Sequence, residues 1–292
     1  MTYLIKLTNK MKLAIGTVQF GINYGINNKN GIPSDIDVSK IFDLSIKNNI
    51  NYLDTSISYG NSEERISKLA NNKFNIITKS NNVKSKEELT SSILTSLSSL
   101  KTESVYGFLF HNVDNLIDNH DLWSTLVKFK NENKVKKIGY SVYDTKQIDY
   151  LLDEGFIPDI VQLPYSLLDR KFEKYFMILK KLGTEIHVRS VFLQGLYFMN
   201  NKQLPQKLLP LKKYLDNIES ISNEFNVSIG ELALNFVNEN KFIDKIIIGV
   251  DSSTQLNQNI QMIKNWDNNN NINELINKIT VKEKGLLSPA NW

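Results

Sequence analysis

Residues 74–110, "FNIITKSNNVKSKEELTSSILTSLSSLKTESVYGFLF", decide the fold of this chain. The stretch opens and closes on short apolar runs, 74–78 and 104–110, which have the length and the β-branched or aromatic content of β-strands. Between them, residues 86–100 place apolar side chains at the spacing of one helix face. That face consists of Leu89, Ile93, Leu97 and Leu100. A strand, a helix and a second strand in this order predict a unit whose two strands lie parallel in one sheet.

The same alternation continues along the whole chain of 292 residues. Strand-like runs occur at 13–18, 51–54, 74–78, 104–110, 135–141, 159–163, 185–190 and 245–250. Amphipathic segments separate them, and residues 37–49 are a second clear example. The resulting succession of β–α units predicts an α/β fold in which a parallel sheet closes into a (β/α)8 TIM barrel. A doubly wound sheet is the alternative, but it usually carries a glycine-rich turn after its first strand, and the chain has no G-x-G-x-x-G motif.

Two segments are additional to the eight β–α units of a minimal barrel. Residues 3–13 are expected to form a short N-terminal β-hairpin with its turn at 8–10, and one place for it is across the bottom of the barrel. Residues 191–213 form a long loop after the seventh strand, ahead of a helix that should begin near Lys213. The length of this loop, with Gly195, Pro205 and Pro210, predicts an excursion over the top of the barrel, and long insertions usually carry function or disorder. Residues 1–292 are expected to form a single domain.

Composition excludes several classes of function. The chain has 35 Lys+Arg and 31 Asp+Glu with no basic block, so we expect no nucleic-acid partner. It has no cysteine, which excludes disulfides, thiolate metal sites and cysteine nucleophiles. With three histidines and no H-E-x-x-H motif, we expect no metal site. No apolar run approaches the roughly 20 residues of a membrane-spanning helix. We therefore expect a soluble, cytoplasmic protein with a small-molecule partner and leave its oligomeric state open.

Polar residues end the strand-like runs, where a barrel of this class has its active site. They are Asp54, Lys79, His111, Ser141, Gln162, Arg189 and Ser190. Taken singly, each has an ordinary structural explanation: an aspartate in a turn, a solvated lysine, a hydrogen-bonded histidine. Tyr59, in the loop after Asp54, is by itself an ordinary packing residue. The convergence of such residues from separate strands indicates a functional site, because charged groups at this rim contribute little to stability.

The chain resembles the aldo-keto reductases, in motifs that run in family order across nearly its whole length. These motifs are "IGTVQFG" at 15–21, "LDTSISYGNSE" at 53–63, "IITKS" at 76–80, "LFHN" at 109–112, "IGYSVYD" at 138–144, "VQLPYSLLDR" at 161–170, "RSVFLQGL" at 189–196 and "IIIGVDSSTQLNQNI" at 246–260. The resemblance implies a catalytic tetrad of Asp54, Tyr59, Lys79 and His111.

Elementary chemistry gives these four residues roles in carbonyl reduction. A phenol with a pKa near ~10 is a sluggish acid at neutral pH. The ammonium of Lys79 beside Tyr59 is expected to lower the pKa of the phenol and so tune it as the proton donor. Asp54 is expected to hold Lys79 charged and in position. His111 is expected to hydrogen-bond the carbonyl oxygen of the substrate.

The resemblance also implies a nicotinamide cofactor, NADPH by family default with NADH left open. The implied cofactor-binding residues are Gly16, Thr17, Ser141, Gln162, Arg189, Ser190, Leu193, Gly195, Gly249, Asp251, Ser252, Ser253, Gln255 and Asn259. Asp251 lies near positions where many relatives carry Lys and Arg against a 2′-phosphate, and an acid there repels phosphate and can instead bind a ribose hydroxyl. Arg189 stands where many relatives stack a Tyr on the nicotinamide, and Val142 where the family often has Asn.

The sequence gives the least information about substrate recognition. Candidate wall residues are Tyr24, Tyr165, Phe192 and Tyr197, with Phe198 beside them. The ending "LLSPANW" is similar to tails of bacterial relatives in surface-sugar pathways, which implies a sugar or nucleotide-sugar carbonyl. Two other functions remain open. One is a redox-sensing nucleotide-binding regulatory module with little turnover, and the other is a Schiff-base lyase or aldolase that uses Lys79 as nucleophile.

Overall fold

The barrel predicted from the sequence is the fold of the protein. A computed structural model describes residues 11–25, 28, 31–199, 204–267, 270–288 and 292. Its parallel strands are β1 (Leu13–Gly16), β2 (Tyr52–Asp54), β3 (Asn75–Lys79), β4 (Val105–Phe110), β5 (Val135–Ser141), β6 (Ile160–Pro164), β7 (Glu185–Arg189) and β8 (Lys245–Gly249). They pair in sequence order, and β8 pairs with β1 to close the barrel. The predicted hairpin at 3–13 lies outside the described residues except where its last residues lead into β1.

Helices surround the barrel and connect its strands. They are α1 (Val18–Gly21), α2 (Asp35–Lys47), α3 (Ser62–Leu69), α4 (Lys86–Ser99), α5 (Asp114–Asp118), α6 (Asp121–Asn131), α7 (Thr145–Asp153), α8 (Glu173–Lys181), α9 (Lys212–Phe225), α10 (Ile229–Asn238), α11 (Ser253–Lys264) and α12 (Asn270–Lys278). None of the helices in the described ranges is long and apolar enough to cross a membrane.

The helix α4 shows why these segments fold where they do. Ser85 precedes it, and its hydroxyl accepts a hydrogen bond from the backbone N–H of Glu88 at 3.2 Å, which satisfies a donor that the first helical turn leaves free. Leu89, Ile93 and Leu97 are buried, as their helical spacing predicted. Burial of each such side chain contributes about 1.5–3 kcal/mol, so packing against the barrel outweighs local helix propensity.

The strand register brings the ends of β1, β2 and β8 to one rim. Gly16 at the end of β1 pairs with Asp54 at the end of β2 and with Gly249 at the end of β8. Because parallel strands of a barrel all point the same way, the loops after them meet at this rim. Asp54 therefore reaches the mouth of the barrel from a strand of only three residues.

The chain after β7 makes the predicted long excursion before α9 begins at Lys212. Two 3-10 turns, Leu193–Phe198 and Gln206–Leu211, shape the described part of it. The backbone of Ser190, Leu193 and Gln194 is left-handed, with φ of 62°, 45° and 53°. This conformation is uncommon for residues other than glycine, and it folds the chain back across the barrel mouth.

The excursion has an apolar core of its own. Leu193, Leu196 and Tyr197 pack with Leu208 and with the buried faces of α9, α10 and α12. This second cluster anchors the excursion, while neighbouring residues Phe192 and Gln194 face the barrel mouth.

Candidate active site

A cavity of about 730 Å³ opens at the carboxyl ends of the strands. Its wall comes mainly from the loops after β1, β2, β7 and β8. Its polar and charged lining residues include Gln19, Asp54, Tyr59, His111, Ser141, Gln162, Arg189 and Asp251. Within the described part of the chain, no group of His, Asp and Glu side chains is placed to hold a metal ion.

A buried ion pair lies beneath this cavity. The Nζ of Lys79, at the end of β3, is 2.7 Å from Oδ2 of Asp54, and their side chains are 1% and 5% exposed. Lys79 also donates to the backbone oxygen of Thr55 at 2.8 Å. The amide of Gln162 donates to Oδ1 of Asp54 at 2.7 Å, so both carboxylate oxygens have partners. Such pairing is what allows two charges to remain inside a protein.

The loop that carries Tyr59 is fixed by close backbone packing. Gly21 at the end of α1 lies so near this loop that a Cβ there would overlap the backbone oxygen of Tyr59. Gly60 has φ of +56°, and a Cβ on it would overlap the backbone oxygen of Gly21. The "YG" pair therefore needs its glycine for both space and conformation. The contact holds Tyr59 over the barrel mouth between β2 and α3.

Tyr59 lies close to two of the other three members of the predicted tetrad, His111 and Lys79. Its ring centroid is 5.5 Å from that of His111, edge to face, and 5.2 Å from Nζ of Lys79. Burial, and then the Asp54 carboxylate, raise the pKa of the phenol above its ordinary value. The expected lowering of this pKa by Lys79 is wrong. The physical reason is that Asp54 at 2.7 Å offsets the ammonium, so that desolvation decides the direction.

His111 follows β4 and is held neutral. Burial, and then the charges of Lys79 and Arg189, lower the pKa of its imidazole to about 3. Its Nδ1 lies 3.1 Å from the hydroxyl of Ser56, which leaves Nε2 without an assigned partner in the described structure. A neutral imidazole whose Nε2 carries the proton donates a hydrogen bond, which suits contact with a carbonyl oxygen.

The cavity wall presents buried polar atoms that have no partner among the described residues. They are Oε1 of Gln19, Oγ of Ser141 and Oδ1 of Asp251. A buried polar atom without a partner costs about 1–3 kcal/mol, so such atoms in one cavity indicate a polar ligand. The two acceptor oxygens and the hydroxyl fit N–H and O–H groups such as those of the carboxamide and ribose groups of a nicotinamide dinucleotide, which requires no Rossmann fold.

Most of the predicted cofactor residues line this cavity. They are Gly16, Thr17, Ser141, Gln162, Arg189, Ser190, Gly195, Gly249, Asp251, Gln255 and Asn259. Gly249 lies against Gln19, and a Cβ at position 249 would overlap the side-chain amide of Gln19.

Three of the predicted cofactor residues lie away from the cavity. Leu193 is fully buried in the cluster beneath the excursion. The hydroxyl of Ser252 accepts from the backbone N–H of Gln255 at 3.3 Å and so begins α11. Ser253 faces a shallow outer depression beside Lys40. The Leu193 side chain therefore does not face the cavity, because a position in a motif does not specify the direction in which a side chain points. The contacts of Ser252 and Ser253 with a phosphate stay predictions, since a helix N-cap and a phosphate site can coincide.

Two of the predicted wall residues, Tyr24 and Phe192, line the cavity, together with Phe198. Tyr165 and Tyr197 are misassigned, because both are packed below the surface. The hydroxyl of Tyr165 donates to Glu173 at 2.6 Å, and the Tyr165 ring packs against the ring of Phe176. Tyr197 belongs to the cluster under the excursion.

Sequence reasoning missed Gln19, Ser58, Tyr143 and Gln194 as cavity residues. Tyr143 is the most informative of them, since the guanidinium of Arg189 stacks on its ring at 4.0 Å. Its place two residues after Ser141, in "SVYD", was an available signal because the strand ends there. Gln194 bridges the mouth and donates to the hydroxyl of Tyr24 at 2.7 Å.

The sequence matches the model of the Aldo/keto reductase family over residues 12–278. The chain belongs to the aldo/keto reductase family. Membership implies an oxidoreductase that acts on carbonyl groups with a nicotinamide cofactor. Among curated protein sequences, none matches this aldo/keto reductase.

Solved structures of the same fold include two bacterial members. The aldo-keto reductase AKR11C1 from Bacillus halodurans in its holo form has a TM-score of 0.74 and 19% identity, covering 94% of each chain. The glycerol dehydrogenase AKR11B4 from Gluconobacter oxydans has a TM-score of 0.72 and 17% identity, covering 91% of this chain and 90% of its own. At these identities the likeness shows the fold alone.

Proposed function

We propose that this aldo/keto reductase reduces an aldehyde or ketone to the alcohol with Tyr59 as proton donor. The observation that carries the proposal is the buried ion pair of Lys79 and Asp54 beneath Tyr59, with His111 in edge-to-face contact. These four side chains come from β2, the loop after it, and the ends of β3 and β4. A purely structural role does not explain why an acid, a lysine, a tyrosine and a histidine converge at the wall of one cavity.

Because its pKa is raised, Tyr59 keeps its phenolic proton at neutral pH. When bound, a nicotinamide cofactor would supply the hydride for reduction of the carbonyl carbon. As negative charge develops on the carbonyl oxygen, Tyr59 gives that oxygen its phenolic proton. The phenolate left behind lies within reach of the Lys79 charge, which Asp54 holds in place. In this role the Lys79 ammonium faces the phenolate, with its effect partly offset by Asp54 at 2.7 Å.

His111 aligns the carbonyl in this mechanism. Because its imidazole stays neutral, it donates a hydrogen bond from Nε2 without offering a competing charge. The same oxygen would then face the imidazole and the phenol together, which would fix the orientation of the carbonyl group.

The geometry is unfavourable to the Schiff-base alternative. The Lys79 side chain is 1% exposed. Its Nζ lies 2.7 Å from the Asp54 carboxylate and donates a hydrogen bond to the backbone oxygen of Thr55 at 2.8 Å. A lysine nucleophile must reach the substrate as a free amine. Lys79 instead lies behind Tyr59, with its hydrogens committed to two buried acceptors.

We propose NADH as the preferred cofactor over NADPH. On the α11 side of the cavity, the wall includes Gly249, Asp251 and Gln255. Among the described lining residues the one Lys or Arg is Arg189, which stacks on Tyr143 near the end of β5. A 2′-phosphate next to Asp251 meets like charge, whereas the free carboxylate oxygen can accept from a ribose hydroxyl.

For substrate we propose a small hydroxylated carbonyl compound, a sugar or nucleotide sugar. Tyr24, Ser58, Tyr143 and Gln194 bring hydroxyl and amide groups to the open side of the cavity. Such groups bind several hydroxyls at once.

The proposal is tested by titrating the protein with NADH and NADPH while following cofactor fluorescence, and then by assaying a panel of aldoses, keto sugars and simple aldehydes. Binding of NADH with turnover of a hydroxylated carbonyl supports it. Cofactor binding without turnover across the panel favours the redox-sensing module. Covalent trapping of a substrate on Lys79 by borohydride overturns the reductase mechanism in favour of the lyase.

A further inference from the structure

Ser56 lies directly behind His111. It follows β2, two residues after Asp54, and is fully buried. Its Oγ is 3.1 Å from Nδ1 of His111. None of the roles proposed above uses this hydroxyl, and the motif that contains it identified only Asp54 and Tyr59.

The neighbours of the Ser56 hydroxyl limit where its proton can go. The backbone N–H of Ser58 donates to Oγ at 3.1 Å, which uses one acceptor position. The proton can then reach Nδ1 of His111 at 3.1 Å or the backbone oxygen of Lys79 at 3.3 Å. The Lys79 oxygen already accepts the N–H of Ile57 at 3.3 Å, whereas Nδ1 of His111 has no other hydrogen-bond donor among the described residues.

We propose that Ser56 is a positioning residue that donates to Nδ1 of His111 and so keeps the ring proton on Nε2. This inference rests on the proposed reductase function, because it gives His111 the tautomer that can donate to a carbonyl oxygen. In the opposite tautomer Nε2 is an acceptor and faces the carbonyl with a lone pair. A neutral imidazole has only these two forms, so one buried hydroxyl can select between them.

The tautomer is measured directly by ¹⁵N NMR on histidine-labelled protein without cofactor. The chain has three histidines, and a His111→Asn variant identifies the resonances of His111 by their loss. We expect the proton on Nε2 in the wild type and a mixture of both tautomers in Ser56→Ala. A wild-type ring protonated on Nδ1 overturns the inference, and so does an unchanged tautomer in Ser56→Ala. This experiment decides the inference even if no carbonyl substrate is found.

Kinetics provide a second readout. Ser56→Ala should lower kcat for carbonyl reduction about tenfold, the order expected from one ordinary hydrogen bond, while the Kd for NADH stays unchanged. Ser45→Ala is the matched control, since it removes a buried hydroxyl that donates to the Ile41 oxygen in α2 at 2.7 Å, away from the cavity. Equal effects of the two variants on kcat would reduce Ser56 to a structural hydroxyl.

Discussion

Lys79 and Asp54 form an ion pair of 2.7 Å between the ends of β3 and β2, and neither side chain is more than 5% exposed. The pair links the stability of the barrel rim to the proposed chemistry of Tyr59, because the same ammonium lies 5.2 Å from the phenol ring. Exposed ion pairs of similar length occur elsewhere in the molecule, as between Lys68 and Asp35 at 2.8 Å. The two pairs differ in burial, which decides what each contributes.

Lys79→Met should lower the free energy of unfolding by about 3–5 kcal/mol, because it leaves Asp54 buried without a cation. The measurement is urea denaturation at pH 7. Lys68→Met is the matched control and should cost under about 1 kcal/mol, since the Lys68 side chain is 70% exposed. Equal losses of unfolding free energy in the two variants would show that the buried ion pair contributes no more to stability than the exposed one.

Tyr59→Phe should abolish carbonyl reduction while the Kd for NADH stays within a few-fold of the wild type, because it removes the proton and keeps the ring. The measurement is single-turnover oxidation of bound NADH in the presence of substrate. Tyr140→Phe serves as control, since it removes a buried tyrosine hydroxyl that donates to the Phe156 oxygen at 3.1 Å. Near wild-type reduction by Tyr59→Phe would end the proposed donor role.

The rate of reduction should show no inflection near pH 6.5. The pKa of His111 is lowered to about 3, so the imidazole stays neutral down to acid pH. The pKa of Tyr59 is raised above its ordinary value, so the phenol stays protonated through pH 9. We therefore expect a flat profile of kcat/KM from pH 5 to 9, after correction for the enzyme-free decay of NADH at each pH. A step near pH 6.5 that disappears in His111→Gln would contradict the neutral imidazole.

Acid should destabilise the protein partly through His111. Its folded-state pKa of about 3 lies below the ordinary value of 6.5, so the unfolded chain binds the proton more tightly. This contribution to stability is fully present above pH 6.5 and is lost as the pH falls toward 3, by a few kcal/mol at most. Urea denaturation at pH 7 and pH 4.5 should therefore show a smaller acid loss for His111→Gln than for the wild type. Equal losses would mean that His111 titrates alike in both states.

Asp251→Ser should raise the NADPH/NADH ratio of kcat/KM, because it removes a carboxylate from the α11 side of the cavity. Steady-state kinetics with both cofactors measure the ratio. The control is Asp153→Ser, which removes an exposed acid at the end of α7. An unmoved ratio in Asp251→Ser would show that this carboxylate does not face the 2′ position.

The order of strands and helices could be predicted from the sequence because it depends on local periodicity. Apolar spacing in stretches such as 86–100 is a property of neighbouring residues, and the barrel follows once such units succeed one another. The residues at strand ends were predictable for the same reason, since the end of a run of apolar residues marks the rim. Asp54, Lys79 and His111 could therefore be placed at the rim from the sequence, whereas their grouping with Tyr59 as a tetrad came from the resemblance to the aldo-keto reductases.

The tertiary structure decided what depends on distant parts of the chain. Tyr165 and Tyr24 are both tyrosines that the sequence predicted as wall residues. Packing against distant parts of the chain buries Tyr165 and leaves Tyr24 at the cavity. The direction of the Tyr59 pKa shift required the balance between burial and paired charges, which no spacing in the sequence contains. The contact of Ser56 with His111 likewise joins residues 55 positions apart. Local periodicity therefore determined the barrel and its rim, and long-range packing determined which of the rim groups share a cavity and in what protonation state.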